Sequence, residues 1–317
     1  YRCREDNNVV RLHGRRGILE LRTLKYLRKK TVPGDIVITG NYHPEGMLSL
    51  LSNRETYILA HGAEYLAGKS FFRRCIWPTY RPFILRNASC VIANSHYTET
   101  LVKHCSPNAK TIAIPLAVDA IHFRPTCEKY KDGLLHLCSI SRLEKFKGHD
   151  FIIRTIASLP AKYKQQVRLH LGGKGKYKSA LERMVTDLGL SDIVSFEGFI
   201  DDNKLCDFYS ASHIFILCTR EEADNRNVEG YGLVFAEAQA CGTAVIGTRT
   251  GGIPDAVEEN NGGWLIHQDA HEELENLLIK LIDDKSLAIN EGRNARRRIE
   301  AKITWEHYVD QICDVIL

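Results

Sequence analysis

No run of apolar residues in this sequence approaches the roughly 20 needed to span a bilayer, which argues against a chain built of membrane-spanning helices. Nothing at its start reads as a signal peptide. Its ten cysteines include no C-x-x-C pair, in a chain too long to depend on disulfides, so a reducing cytoplasm and no structural zinc are expected. No G-x-G-x-x-G opens a helix, which argues against an NAD-dependent oxidoreductase. AEYLAGKS (63–70) has alanine where a phosphate loop needs its first glycine, which argues against an NTPase. No D-x-D follows a strand, and no essential metal is expected. Internal repeats and low-complexity segments are also missing.

What is present suits a globular enzyme. At 317 residues, with 44% hydrophobic and 26% charged residues, the chain is long enough for two domains with separate cores. The net charge of +4 hides an asymmetry. Residues 1–120 hold 18 Lys and Arg against 9 Asp and Glu, and the remainder holds 25 against 30. The basic first part implies an anionic partner for that domain.

Short apolar runs alternate with helical patterns. Strands are expected at 35–39, 56–60, 90–94 and 111–115, then at 134–140, 167–172, 193–197, 213–218 and 244–247. Helices are expected at 17–30, 70–87 and 95–104, then at 148–158, 176–188, 203–210, 233–241 and 271–282. Fully apolar strands between helices imply parallel sheets covered on both faces. The polar, proline-broken run 118–133 reads as a linker between a domain over 1–120 and one over 133–302. A last helix at 303–317 is available to pack back on the first. The fold class expected is therefore α/β, two Rossmann-like domains facing across a cleft.

The densest chemistry lies in EGYGLVFAEAQACGTAVIGTRTGGIPDAV, Glu229 to Val257. Gly230 and Gly232 allow a ligand close to the backbone, and the apolar helix that follows offers unpaired N–H groups and a positive dipole end. Glu229 and Glu237 flank that phosphate seat with groups able to accept from hydroxyls, a pairing that suits a nucleotide sugar. Earlier, SRLEKFKG (141–148) brings Arg142 and Lys147 from the end of a strand, two cations able to neutralise a diphosphate. FEGFIDDNKL and HIFILCTRE lie between the two motifs.

In this order the motifs resemble the retaining GT-B nucleotide-sugar glycosyltransferases of the group 1, or family 4, type. That group includes phosphatidylinositol mannosyltransferases and lipopolysaccharide and capsule glycosyltransferases. The resemblance covers about residues 55–310. It implies that Arg142 and Lys147 hold the diphosphate, Glu237 the ribose hydroxyls, and Glu229 the donor sugar. It implies that the backbone of Gly230, Tyr231, Gly232 and Leu233 meets phosphate or sugar. Phe199 and Ile200 would face the base, with Gly172 and Gly173 lining the nucleotide pocket, and His61 in HGAE would reach the transferred sugar. His61, Glu229, Arg142 and Lys147 are thus the expected catalytic set. Family members open with a strand and a glycine-rich loop not found before Asp35. With Tyr1 in place of an initiator methionine, the expectation is a native chain that extends upstream and an N-terminal domain that is incomplete.

Plainer readings stand beside these. Arg142 and Lys147 could form a solvated rim, His61 a hydrogen-bonded strand end, and Glu229 a loop carboxylate. Asp201 and Asp202 read as helix caps, and Gly251, Gly252 and Pro254 as a tight turn opening a helix. A glycoside hydrolase needs carboxylates about 5–9.5 Å apart, whereas eight residues of helix span ~12 Å. A sugar-phosphate epimerase or phosphorylase of the same fold, or a non-catalytic membrane-surface protein, remains as an alternative. The expected donor is a GDP- or UDP-hexose, with no cofactor and no nucleic acid, and the acceptor is a glycan or lipid. RRGILELRTLKYLRKK (15–30) sets Ile18, Leu21, Leu24 and Leu27 among cations, and KSFFRRCIWPTYRPFILR (69–86) mixes Phe71, Phe72, Trp77, Tyr80 and Phe83 with Arg and Lys. Both suit an anionic membrane surface, the inner face of the plasma membrane.

Overall fold

The computed structural model describes residues 9–66, 71–222 and 227–317, without the side chains of residues 71–75. Lys69, Ser70, the side chains of Phe71, Phe72, Arg73 and Arg74 in the second basic segment, and the end of AEYLAGKS therefore lie outside what is described. The chain divides into two compact units. One comprises Tyr1–His61, Gly68–Ala93 and Glu99–Ile112, the other Gly62–Ala67, Asn94–Thr98 and Ala113–Leu317.

The first part of the chain forms α1 (Ile18–Lys30), β1 (Ile36–Thr39), α2 (Met47–Leu51), β2 (Glu55–Ala60), α3 (Phe71–Asn87), β3 (Cys90–Ala93), α4 (His96–Cys105) and β4 (Thr111–Ala113). Its sheet has the order β1-β2-β3-β4, with β1–β2 and β2–β3 parallel. The expectation of two covered faces holds for β2 and β3, where Tyr57, Ile58, Val91 and Ile92 are buried. It does not hold for β1: this edge strand leaves Ile36 and Ile38 exposed, because no described element covers that face. α1 buries no residue, and Ile18 and Leu21 are 52% and 69% exposed.

The second unit continues with β5 (Leu135–Ile140), α5 (His149–Ser158), α6 (Ala161–Lys164), β6 (Val167–Gly172), α7 (Lys178–Asp187), β7 (Val194–Gly198), α8 (Asp202–Ala211), β8 (Ile214–Leu217) and α9 (Leu233–Ala240). It ends with β9 (Ala244–Thr248), α10 (Ile253–Ala256), β10 (Gly263–Ile266), α11 (His271–Asp283), α12 (Lys285–Lys302) and α13 (Trp305–Ile316). Six parallel strands take the order β10-β9-β8-β5-β6-β7. Alternate residues feed two cores. Leu135, Leu137, Ile214 and Ile216 pack with Phe151 and Leu278 in one, while Cys138, Phe215 and Leu217 pack with Tyr209 and Phe235 in the other. β8 and β9 are buried along their whole length, as continuous apolar strands in a covered parallel sheet should be.

The run 118–133 forms no helix or strand, yet it is not a free linker: Val118 and Phe123 are buried in the second core. Besides the one-turn helices α2 and α6, two elements escape the sequence pattern. β10 is a four-residue strand at the sheet edge. α12 turns inward only Ala288, Gly292, Ala295 and Ile299, a stripe too small to register as amphipathic. The small residues serve close approach, since a Cβ on Gly292 would lie 2.3 Å from the Gly242 carbonyl oxygen.

Candidate active site

From β5 the chain builds β6 and β7 on one side and β8, β9 and β10 on the other, so the crossovers diverge between β5 and β8. Parallel sheets bind ligands outside the carboxyl ends of their strands at such a divergence. The loop leaving β5 ends in a tight turn at Lys145–Lys147, followed by Gly148 at φ 75°. A Cβ there would lie 1.8 Å from the Cys218 carbonyl oxygen, so only glycine lets the loop pass the end of β8. The loop turns Lys147 inward and Arg142 outward. Lys147 is 9% exposed, and its Nζ donates to Glu229 Oε2 at 2.6 Å. Arg142 is open to solvent and, among the described residues, pairs with Glu144 at 2.9 Å.

The Glu229 turn rests on Gly251 and Gly252. The Gly252 N–H donates to the Glu229 carbonyl at 2.8 Å. A Cβ on Gly251 would stand 2.3 Å from that oxygen, and one on Gly252 would stand 2.0 Å from the Gly230 carbonyl oxygen. These two glycines, read from sequence as an ordinary turn, are therefore the floor under Glu229. Pro254 opens α10 as expected. Ser95, which clusters with this unit, donates from Oγ to the Gly230 carbonyl at 2.6 Å. Gly232, at φ 89° and ψ 56°, then opens α9, whose first N–H groups have no intrahelical acceptor. The Tyr231 ring is buried in the second core, so this residue gives the turn only its backbone.

α9 is apolar all round apart from the buried Gln239 and Glu237, the one ionisable side chain in it. Its carboxylate accepts from Tyr209 Oη at 3.0 Å. Burial pushes this carboxyl above the usual range, the Asp202 charge adding to the effect and the Tyr209 bond opposing it. Tyr209 had no signal in the sequence beyond an apolar position in α8. Asp201 stands at the N-cap of that helix, but its side chain makes no capping bond, contrary to expectation.

A third element lies at the end of β6. A Cβ on Gly173 (φ 120°) would lie 1.9 Å from the Ser141 carbonyl oxygen, and one on Gly175 would lie 2.2 Å from that of Leu143. The glycine turn is thus a shelf for the Arg142 loop, tied to it by the Leu143 N–H donating to the Lys174 carbonyl at 2.9 Å. Gly172 packs against Ile200, and Phe199 presents a 62% exposed ring with Lys174 Nζ 5.4 Å from its centroid. His149, directly after Gly148, went unnoticed in the sequence. Its ring is buried, with Nε2 3.3 Å from Ser141 Oγ and 3.4 Å from Ser139 Oγ. Burial and then the Lys147 charge push it down to about 4, so it is neutral at physiological pH.

The sequence-predicted residues of the second unit therefore converge in part. Lys147, Glu229 and the turn Gly230–Leu233 meet directly. Gly172, Gly173 and Ile200 shape the glycine shelf with Phe199 next in the chain to Ile200, Glu237 pairs with Tyr209, and Arg142 points away. His61 stands exposed directly after β2, in the first unit. Together the second-unit groups offer a cation and helix N–H groups for phosphate, carboxylates for hydroxyls, and an open aromatic face for a planar ring.

Comparison with known proteins agrees with this chemistry. Residues 128–298 match the family model described as glycosyl transferases group 1. The GDP-mannose-dependent monoacylated alpha-(1-6)-phosphatidylinositol monomannoside mannosyltransferase of Corynebacterium glutamicum is 30% identical over 64% of this chain and 55% of its own. The GDP-mannose-dependent alpha-(1-6)-phosphatidylinositol monomannoside mannosyltransferase of Mycobacterium tuberculosis (strain ATCC 25618 / H37Rv) is 26% identical over 66% of this chain and 56% of its own. The chain thus spans about half the length of these curated relatives. The crystal structure of Anabaena Alr3699/HepE in complex with UDP superposes with a TM-score of 0.76 at 21% identity, covering 94% of this chain and 82% of that one. The α/β fold with two parallel sheets is that of the GT-B glycosyltransferases. With more than half of its length matched by the family model, the chain belongs to the group 1 glycosyl transferases.

Proposed function

We propose that this protein transfers a hexose from a nucleoside diphosphate sugar, a GDP- or UDP-hexose, to a glycan or lipid-linked acceptor of the cell envelope, with retention of configuration and without a metal. The observation that carries this is the Lys147–Glu229 contact of 2.6 Å beside the N-terminus of α9. A cation for the leaving diphosphate there adjoins a carboxylate for sugar hydroxyls. As the bond to phosphate lengthens, charge grows on the diphosphate; Lys147 and the α9 N–H groups receive it, and Arg142 joins them by swinging in from its solvent-facing position beside Glu144. The acceptor hydroxyl attacks the face that the leaving group vacates and passes its proton to a phosphate oxygen. Glu237 accepts from the ribose, and the base lies by Phe199 and Ile200. A role for His61 at the transferred sugar rests on the family resemblance.

A membrane-held acceptor is favoured by α1, which leaves Ile18 and Leu21 exposed beside Arg22, Lys25 and Arg28–Lys30. No helix among the described residues is long and apolar enough to cross a membrane. The test is calorimetry and product analysis with GDP-mannose and UDP-glucose. One donor binds, the product keeps the donor's anomeric configuration by NMR, and EDTA changes nothing. Lys147→Ala and Arg142→Ala each weaken nucleoside diphosphate binding about tenfold, for ~1.5 kcal/mol per charged contact. Glu229→Ala abolishes transfer and leaves that binding at least as tight, because it releases Lys147. An inverted product, or full turnover by Glu229→Ala, overturns the reading.

A further inference from the structure

At the opposite end of the six-stranded sheet from Lys147 and Glu229, where the chain enters β5, β8 and β9, the second unit holds a cavity of about 850 Å³. Small-molecule sites commonly occupy about 300–1,000 Å³. Among its 14 lining residues five are Lys or Arg and one, Glu128, is acidic.

Two of these cations have a carboxylate partner, Lys131 with Glu128 and Arg296 with Glu300, and the other three have none among the described residues. Lys129 donates from Nζ to the carbonyls of Ser210 (3.1 Å) and Ser212 (2.8 Å) and to Thr243 Oγ1 (2.9 Å), three neutral acceptors and no carboxylate. Burial pushes this amine down to about 8. Arg296 donates to the carbonyls of Phe123 and Ala240, each at 2.7 Å, and has Glu300 as a carboxylate partner. Arg293 and Arg297 stand four residues apart on α12, a like-charge spacing that costs helix stability. Arg297 meets Asn294 Oδ1 at 2.6 Å, and Arg293 has no hydrogen-bond or ion-pair partner among the described residues. Beside them the half-exposed Tyr130 ring, one face stacked on His136 at 3.9 Å between centroids, gives the cavity a flat aromatic wall. Two open guanidiniums, a half-buried ammonium held only by neutral acceptors and an aromatic wall around one hollow match a phosphate ester.

We propose that this cavity is a second binding site, for a phosphate ester whose phosphate is held by Arg293 and Arg297 and whose sugar or glycerol body lies against Tyr130. A ligand there is remote from the proposed donor site along the strands and does not compete with nucleoside diphosphate. The ester can come from a soluble sugar phosphate or from a phospholipid headgroup.

The parent for the experiment is the chain carrying Arg142→Ala and Lys147→Ala, which weakens phosphate binding at the donor site, together with Lys29→Glu and Lys30→Glu, which weakens any docking of α1 on anionic lipid. It is titrated with glucose 6-phosphate by calorimetry and sedimented with phosphatidylcholine vesicles with and without phosphatidic acid. Arg293→Gln and Arg297→Gln are then added together. Both side chains are exposed, and unchanged GDP and UDP binding by the same pair in the wild-type background shows that the fold is intact. The expected result is one glucose 6-phosphate per chain, weakened at least about tenfold by the glutamine pair. Pelleting with phosphatidic acid alone, lost in the glutamine pair, supports the site with the headgroup as its source. Binding of neither probe, or binding that survives the glutamine pair, overturns the proposal.

Discussion

A carboxylate set in an apolar helix has a measurable cost, and Glu237 bears it. Its folded carboxyl holds a proton to higher pH than the unfolded one, so stability is greatest below the unfolded value and falls as pH rises through the interval between the two. Glutamine does not ionise. Glu237→Gln is therefore expected to raise Tm at pH 7 and to lose that advantage below about pH 4, where the unfolded carboxyl is also protonated. Melts across that range check it, and an equal gain at every pH would place the effect elsewhere. At this scale the sequence showed which residues carry charge and spacing, Lys147 and Glu229 above all. It could not show Tyr209 or His149, because a buried hydroxyl or imidazole inside an apolar pattern gains its meaning only from the strand or helix opposite.

Among the elements, the turns that hold the site are fixed by backbone approach rather than by side chains. Gly252 has φ −88°, which any residue tolerates, yet a Cβ there collides with the Gly230 carbonyl oxygen. Gly252→Ala is expected to cost about 1–3 kcal/mol by overpacking and to weaken nucleoside diphosphate binding by displacing the Glu229 turn. Gly34→Ala, where nothing lies within 4 Å, is the comparison: it meets only the strain of φ 99° and leaves binding unchanged. Thermal melts and calorimetry on both variants separate the two effects. Apart from β10, the strands were legible to within two residues, because a covered parallel strand is a continuous apolar run. α12 was not, since its contact face is made of glycine and alanine.

The whole molecule divides its charge unevenly, with the excess of Lys and Arg in residues 1–120. α1 combines that charge with exposed Ile18 and Leu21. If it docks on anionic lipid at about 1 kcal/mol per basic side chain, the protein sediments with anionic vesicles at low salt and is released at high salt. Lys29→Glu with Lys30→Glu weakens pelleting more than tenfold by this arithmetic. Equal pelleting with neutral vesicles, or no response to salt, would remove membrane docking and leave a soluble acceptor.

The placing of β5 in the middle of its sheet also has a consequence for how the chain acquires its structure. β5 pairs with β6 after one short crossover, but its other neighbour, β8, aligns Ile214 with Leu137 across a far longer loop. Closing that loop costs more entropy, and pairings distant in sequence form slowly. The β5–β8 seam, where Lys147 and Glu229 come together, should therefore zip up late. Substitutions along it would then act mainly on the unfolding rate, and a chain emerging from the ribosome would assemble the β5–β6–β7 half before it could hold a donor.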